Sequence, residues 1–278
     1  MLTVRQSFSA ATAAAFLCTA ACQSGERQAN PAGNAANAAE RETVPKLPLP
    51  APEPPLGREQ LLVATLRAAS DFAAGSDDSQ VQKSLANRNY EFRIRFGCGE
   101  SDKAGMIAPF GWTFDSRTRT LKVRAAPDLS PIDARVNALA GKAFETIEGF
   151  WLPRPWLLAP VCPRTNEGAA NETIQASDVS ASRLVGIAQF FTATGPRTLR
   201  RSGRAYEATK KLDTDQPPTG GFDLVLAGRL VALPDGRVIV CTRPANGERP
   251  VCLISVEFGT VSIERADTHE QLAQWGSG

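Results

Sequence analysis

Tyr90-Glu91-Phe92-Arg93-Ile94-Arg95-Phe96 places an apolar side chain at every second position and a charged one between. Side chains alternate faces along an extended chain, so this period of two predicts a strand with one buried face. Upstream the period is helical: residues 58–74 carry Leu62, Leu66, Ala69 and Phe72 on one face, and 79–86 continue as a second short helix. Downstream, residues 111–115 and 120–124 form a hairpin pattern. Ser130-Pro131-Ile132-Asp133 then opens a helix, with Ser130 as cap and Pro131 in the first turn, and Gly141 stops it.

Past a polar stretch over residues 165–177, strands dominate at 184–194, 204–210, 222–233, 237–242, 251–258 and 261–265. Pro234-Asp235-Gly236 supplies a turn. Asp267, with Glu270 three residues on, has the pattern of a helix cap ahead of Leu272 and Trp275. The expected class is α+β, mainly antiparallel β with N-terminal helices. Two arrangements fit: a helix-plus-β lobe at 57–165 beside a β-rich lobe at 178–278, or one sandwich or barrel decorated by helices.

The first 22 residues carry one cation, Arg5, ahead of an alanine-rich apolar stretch that ends in Thr19-Ala20-Ala21-Cys22. Spanning a bilayer takes about 20 apolar residues, so this shorter stretch predicts a removed export signal over residues 1–21. Here the chain resembles bacterial lipoproteins, whose signal ends in a large aliphatic residue, two small residues and the cysteine that receives the lipid. Ala20, Ala21 and Cys22 match, while Thr19 stands where the family usually carries Leu. The resemblance implies a palmitate-type acyl anchor at Cys22. With Gln23 and Ser24 in place of the aspartate that commonly retains such proteins at the inner membrane, it also implies an outer-membrane address facing the periplasm. Thr19 and Ala21 equally fit ordinary cleavage after Ala21, which stands as the alternative.

Residues 22–56 read as a disordered linker: 23–56 hold seven prolines behind a run rich in Ala, Asn, Gly and Glu. Such a composition buries too little apolar surface to offset its ordering entropy. With Cys18 in the signal and Cys22 acylated, four of the six cysteines remain: Cys98, Cys162, Cys241 and Cys252. Strands on either side of Asn246-Gly247, a favoured hairpin dipeptide, put Cys241 opposite Cys252. Pro244 and Pro250 cannot donate to a ladder and argue for a wider loop. Cys98 then pairs with Cys162 by exclusion.

Catalytic motifs are sparse. His269 is the sole histidine, in a polar neighbourhood that suits a solvent-facing helix residue better than a general base. No G-x-S-x-G elbow, S-x-x-K motif or phosphate-binding G-x-x-x-x-G-K loop occurs, and no cysteines have zinc spacing. No cofactor or metal is expected. The 31 Lys and Arg against 29 Asp and Glu give no electrostatic case for nucleic acid. Two patches are candidates for binding. Trp151 and Trp156 lie in the proline-stiffened segment 151–158, where they either offer aromatic faces or fill the core. Arg197, Arg200, Arg201, Arg204, Lys210 and Lys211, with only Glu207 among them, form a basic stretch suited to an anionic envelope polymer or to plain solvation. The expectation is a non-catalytic envelope lipoprotein that binds or scaffolds an envelope protein or polymer; the alternative is a periplasmic hydrolase using two carboxylates.

Overall fold

Helix α1 (Arg58–Ala74) forms where the helical apolar spacing predicts it, and Gly75 closes it in the left-handed conformation that glycine adopts without strain. The computed structural model describes residues 52–76, 79–99, 108–130, 132–140, 144–163, 183–195, 203–243 and 248–276. The export signal, Cys22 and most of the linker, residues 1–51, lie outside them. The buried face of α1 differs from the expected one. Leu61, Leu62 and Thr65 face the core while Leu66 is exposed, because Thr65 satisfies its hydroxyl on the Leu61 carbonyl and can be buried without penalty. Helix α2 (Ser79–Leu85) follows. Helix α3 (Ala134–Ala140) starts later than the Ser130 cap implies: Asp133 Oδ1 accepts the Arg135 N–H and caps it, while Ser130 Oγ serves the Ile132 N–H in the preceding turn.

The alternating stretch is strand β1 (Asn89–Phe96), with Tyr90, Phe92, Ile94 and Phe96 buried. It joins strands β4 (Thr146–Trp151), β5 (Val185–Phe191), β7 (Phe222–Leu230), β8 (Ile239–Thr242), β9 (Val251–Arg265) and β10 (Gln271–Gly276) in one seven-stranded sheet. The order is β1-β7-β9-β5-β4, with β8 and β10 also on β9. Every pairing is antiparallel except β5 with β9. A second sheet has the order β2-β3-β6, from β2 (Phe110–Asp115), β3 (Thr120–Ala125) and β6 (Tyr206–Lys211). The fold is mainly β, two sheets and not a closed barrel. Aromatic rings fill the space between them: Trp112 meets Phe222 at 5.6 Å, Phe96 meets Phe110 at 5.3 Å and Phe150 meets Tyr206 at 6.1 Å.

Strands from both expected lobes interleave in the larger sheet, and residues Pro52–Gly278 cluster as one compact unit. Of the two arrangements left open by the sequence, the observed one is a single stack of two sheets. Strand β9 ties it together. Gly259, between the two segments expected as separate strands, sits instead in a bulge where pairing steps from Ala227↔Thr260 to Gly228↔Phe258. Its first half pairs with β5 and β8, its second with β7 and β10. Beyond it, the helix expected after Asp267 is strand β10. Asp267 bonds Arg265 instead of capping, and His269 adopts φ 56° in the tight connection that folds β10 back onto β9. Among the described residues no helix is long and apolar enough to cross a membrane.

Candidate functional site

Both expected disulfides form. Cys241 lies directly opposite Cys252 in the β8–β9 ladder, and Cys98 bonds Cys162. The ladder ends at Thr242↔Val251, so Pro250 falls outside the pairing, while Pro244 lies outside the described residues. Cys162 closes a segment, residues 152–163, that separates the fates of two tryptophans. Trp151 ends β4 in the core, 4% exposed, with the Arg135 guanidinium 5.3 Å from its ring centre. Trp156, five residues on, is 62% exposed. The packing expectation holds for the first ring and fails for the second.

The reason lies in two arginines. The Arg58 side chain, at the start of α1, is almost fully buried and donates to the carbonyls of Leu157 (2.9 Å), Arg93 (3.2 Å) and Arg154 (3.2 Å). Arg154, at φ 52°, turns its own guanidinium inward onto the Arg95 carbonyl at 3.2 Å. Burial, then the neighbouring Arg154 charge, lowers the Arg58 pKa to about 10, with Asp223 opposing. Even so it stays protonated at neutral pH. These bonds hold the segment's backbone against β1 and leave Trp156 outside.

A mostly apolar hollow lies elsewhere, where β5 ends against the β7–β8 connection and β9. It is an open groove of about 440 Å³ lined chiefly by Phe144, Phe190, Leu233 and Val256, with Gln189, Thr192, Ser255 and Glu257 as its polar members. The Gln189 carboxamide oxygen accepts the Phe258 N–H at 3.2 Å, filling the gap on β9 between its β5 and β10 partners. Around Leu233 and Pro234 the surface continues into a second hollow of about 280 Å³ beside Cys241, floored by Leu139, Phe144 and Val240. Helix α3 covers part of this sheet face through Val136 and Leu139, and the uncovered remainder is the groove.

No sequence motif marks this groove, because Phe144 precedes β4, Phe190 lies on β5 and Leu233 lies in the β7–β8 connection, and only the pairing of β5 with β4 and with β9 brings them together. Its Phe144–Phe190 ring contact, at 5.0 Å, crosses a long interval of sequence. The basic candidates fare differently: Arg197, Arg200 and Arg201 lie outside the described residues, and Arg204 is exposed. Lys210 pairs with Glu270, so that part of the basic stretch is neutralised. His269 is exposed.

Two acids, Asp128 and Asp223, are held in the interior. Burial raises the Asp128 pKa to about 6, against the opposing pull of the Trp151 N–H bond and the Arg183 charge. Asp128 is engaged at 2.8 Å with that N–H and does not line the groove. Asp223, 1% exposed, accepts from Arg95 Nε and Nη2 at 2.7 and 3.0 Å. The Tyr90 hydroxyl is buried, and burial, then Tyr206 and Glu257, push its pKa well up, which makes it a neutral core group. Among the described residues no three acidic, histidine or cysteine side chains cluster as metal ligands. No family model, no curated protein and no solved structure matches this chain.

Proposed function

We propose that this chain is a bacterial envelope lipoprotein, acylated at Cys22 and facing the periplasm from the outer membrane, whose folded unit is a non-catalytic binding module for an apolar ligand. The observation that carries the binding role is the groove: its walls are Phe144, Phe190, Leu233 and Val256, its mouth is open, and Glu257 is the single carboxylate on it. Ligand pockets are concave, mostly apolar, and carry a few polar groups that set orientation. Gln189 and Glu257 are placed to do that. A glycosidase-type hydrolase needs two carboxyl groups flanking one cleft. Asp128, the carboxyl raised by burial, is spent on the Trp151 N–H.

The anchor and the ligand are tested separately. Intact-mass analysis of protein from membranes shows a diacylglyceryl adduct on a chain beginning at Cys22; an unmodified Cys22 terminus rejects the anchor. An environment-sensitive apolar fluorophore binds the purified protein, and Ala232→Trp abolishes binding, since Ala232 is an exposed groove residue whose enlargement fills the space without removing a core side chain. Unchanged fluorophore affinity in Ala232→Trp rejects the groove as the ligand site.

A further inference from the structure

We propose that Trp156, Leu158 and Val161 form a second membrane contact, an apolar edge that rests in the headgroup region of a bilayer at the end where the chain enters the fold. This inference rests on the lipid-anchor reading above. Three exposed apolar side chains occur within six residues: Trp156 at 62%, Leu158 at 37% and Val161 at 49%. Tryptophan prefers the membrane interface, where an apolar ring and a polar N–H are both accommodated.

The backbone of this segment is suited to low water. Residues 152–163 contain Pro153, Pro155, Pro160 and Pro163, each of which removes an N–H donor. The Leu152 N–H bonds Val185 across the β4–β5 edge, and the N–H groups of Leu157 and Val161 close local turns on Arg154 and Ala159. Arg58 occupies the carbonyls of Arg154 and Leu157. A backbone group left unpaired in an apolar medium is costly, and here many are absent or internally satisfied. The segment holds no carboxylate, and its one cation, Arg154, is turned inward.

Position gives the contact its role. Leu56 bridges to Tyr90 at the β1 edge, and the next side chain but one, Arg58, reaches the Leu157 carbonyl. The first residues of the folded unit and the Trp156 edge therefore share one end of it. Three side chains hold a soluble protein weakly. Once an anchor raises the local concentration of the bilayer to roughly millimolar, a weak contact suffices to orient the unit.

The test uses residues 22–278 with both disulfides intact, coupled through the Cys22 thiol to a maleimide lipid in phosphatidylethanolamine/phosphatidylglycerol vesicles. Attachment is thus supplied whether or not cells acylate Cys22, and failure of the anchor reading is scored separately by the mass analysis. Vesicles doped with brominated acyl chains quench part of the tryptophan emission, and that part disappears in Trp156→Phe. Leu158→Glu combined with Val161→Glu, both at exposed positions, removes the quenching while leaving the unfolding midpoint in place. Quenching that is absent, or equal in wild type and Trp156→Phe, overturns the proposal. So does unquenched Trp156 emission that changes instead on addition of envelope glycan or protein.

Discussion

At the residue scale, single buried charges decide how surface segments are presented. Arg58 joins α1, β1 and the 152–158 segment through three carbonyls. Arg58→Ala leaves those oxygens unmet in a dry site, and urea denaturation is expected to show a loss of about 2–4 kcal/mol. Arg58→Lys recovers little of it, since a compact ammonium cannot reproduce the planar fork. Asp128 acts in the opposite sense. Its folded pKa of about 6 lies above the ordinary 3.8, so the protonated form is the one the fold favours. That contribution is complete below about pH 4 and is lost as pH rises through about 6. Asp128→Asn keeps an acceptor for the Trp151 N–H and removes the charge. The variant is expected to be more stable than wild type at pH 7.5 and nearly equal to it at pH 4, by denaturant midpoints at the two pH values. A wild type that stays the more stable at pH 7.5 contradicts the assignment.

At the element scale, the sequence revealed strands wherever one face is buried and the other wet. Strand β1 and the β8–β9 ladder follow their patterns, and Cys241 lands opposite Cys252. Strand β4 was not legible, because all of residues 147–151 are buried so that no alternation survives, and Glu148 and Gly149 break the kind of apolar run that marks the likewise buried β7 at residues 224–226. Strand β10 was concealed by a capping pattern at Asp267 and Glu270 that ion pairing redirects: Asp267 to neighbouring Arg265, Glu270 to distant Lys210. The groove was illegible because it depends on which strands meet. The β9 bulge also depends on close approach. A Cβ at Gly228 would collide with the Glu257 carbonyl oxygen, so Gly228→Ala forces the β7–β9 ladder apart. It is expected to cost about 2–4 kcal/mol in an unfolding titration, well beyond the usual propensity change.

At the scale of the whole molecule, two disulfides close loops of different reach, with sequence separations of 11 and 64. In the chain-entropy model they contribute about 3 and about 4 kcal/mol respectively. Cys98→Ser with Cys162→Ser is therefore expected to lower stability more than Cys241→Ser with Cys252→Ser. The first pair also releases the Trp156 edge, while the second loosens the wall beside the groove. On the function proposed above, fold, edge and groove belong to a unit that presents an apolar hollow at the end of a lipid-tethered chain. Native mass spectrometry of the protein taken from its own membranes tests that account most directly. The account predicts an acylated chain from Cys22 with both disulfides and a bound apolar small molecule that is absent from Ala232→Trp; an unacylated chain, or the same molecule retained by Ala232→Trp, contradicts it.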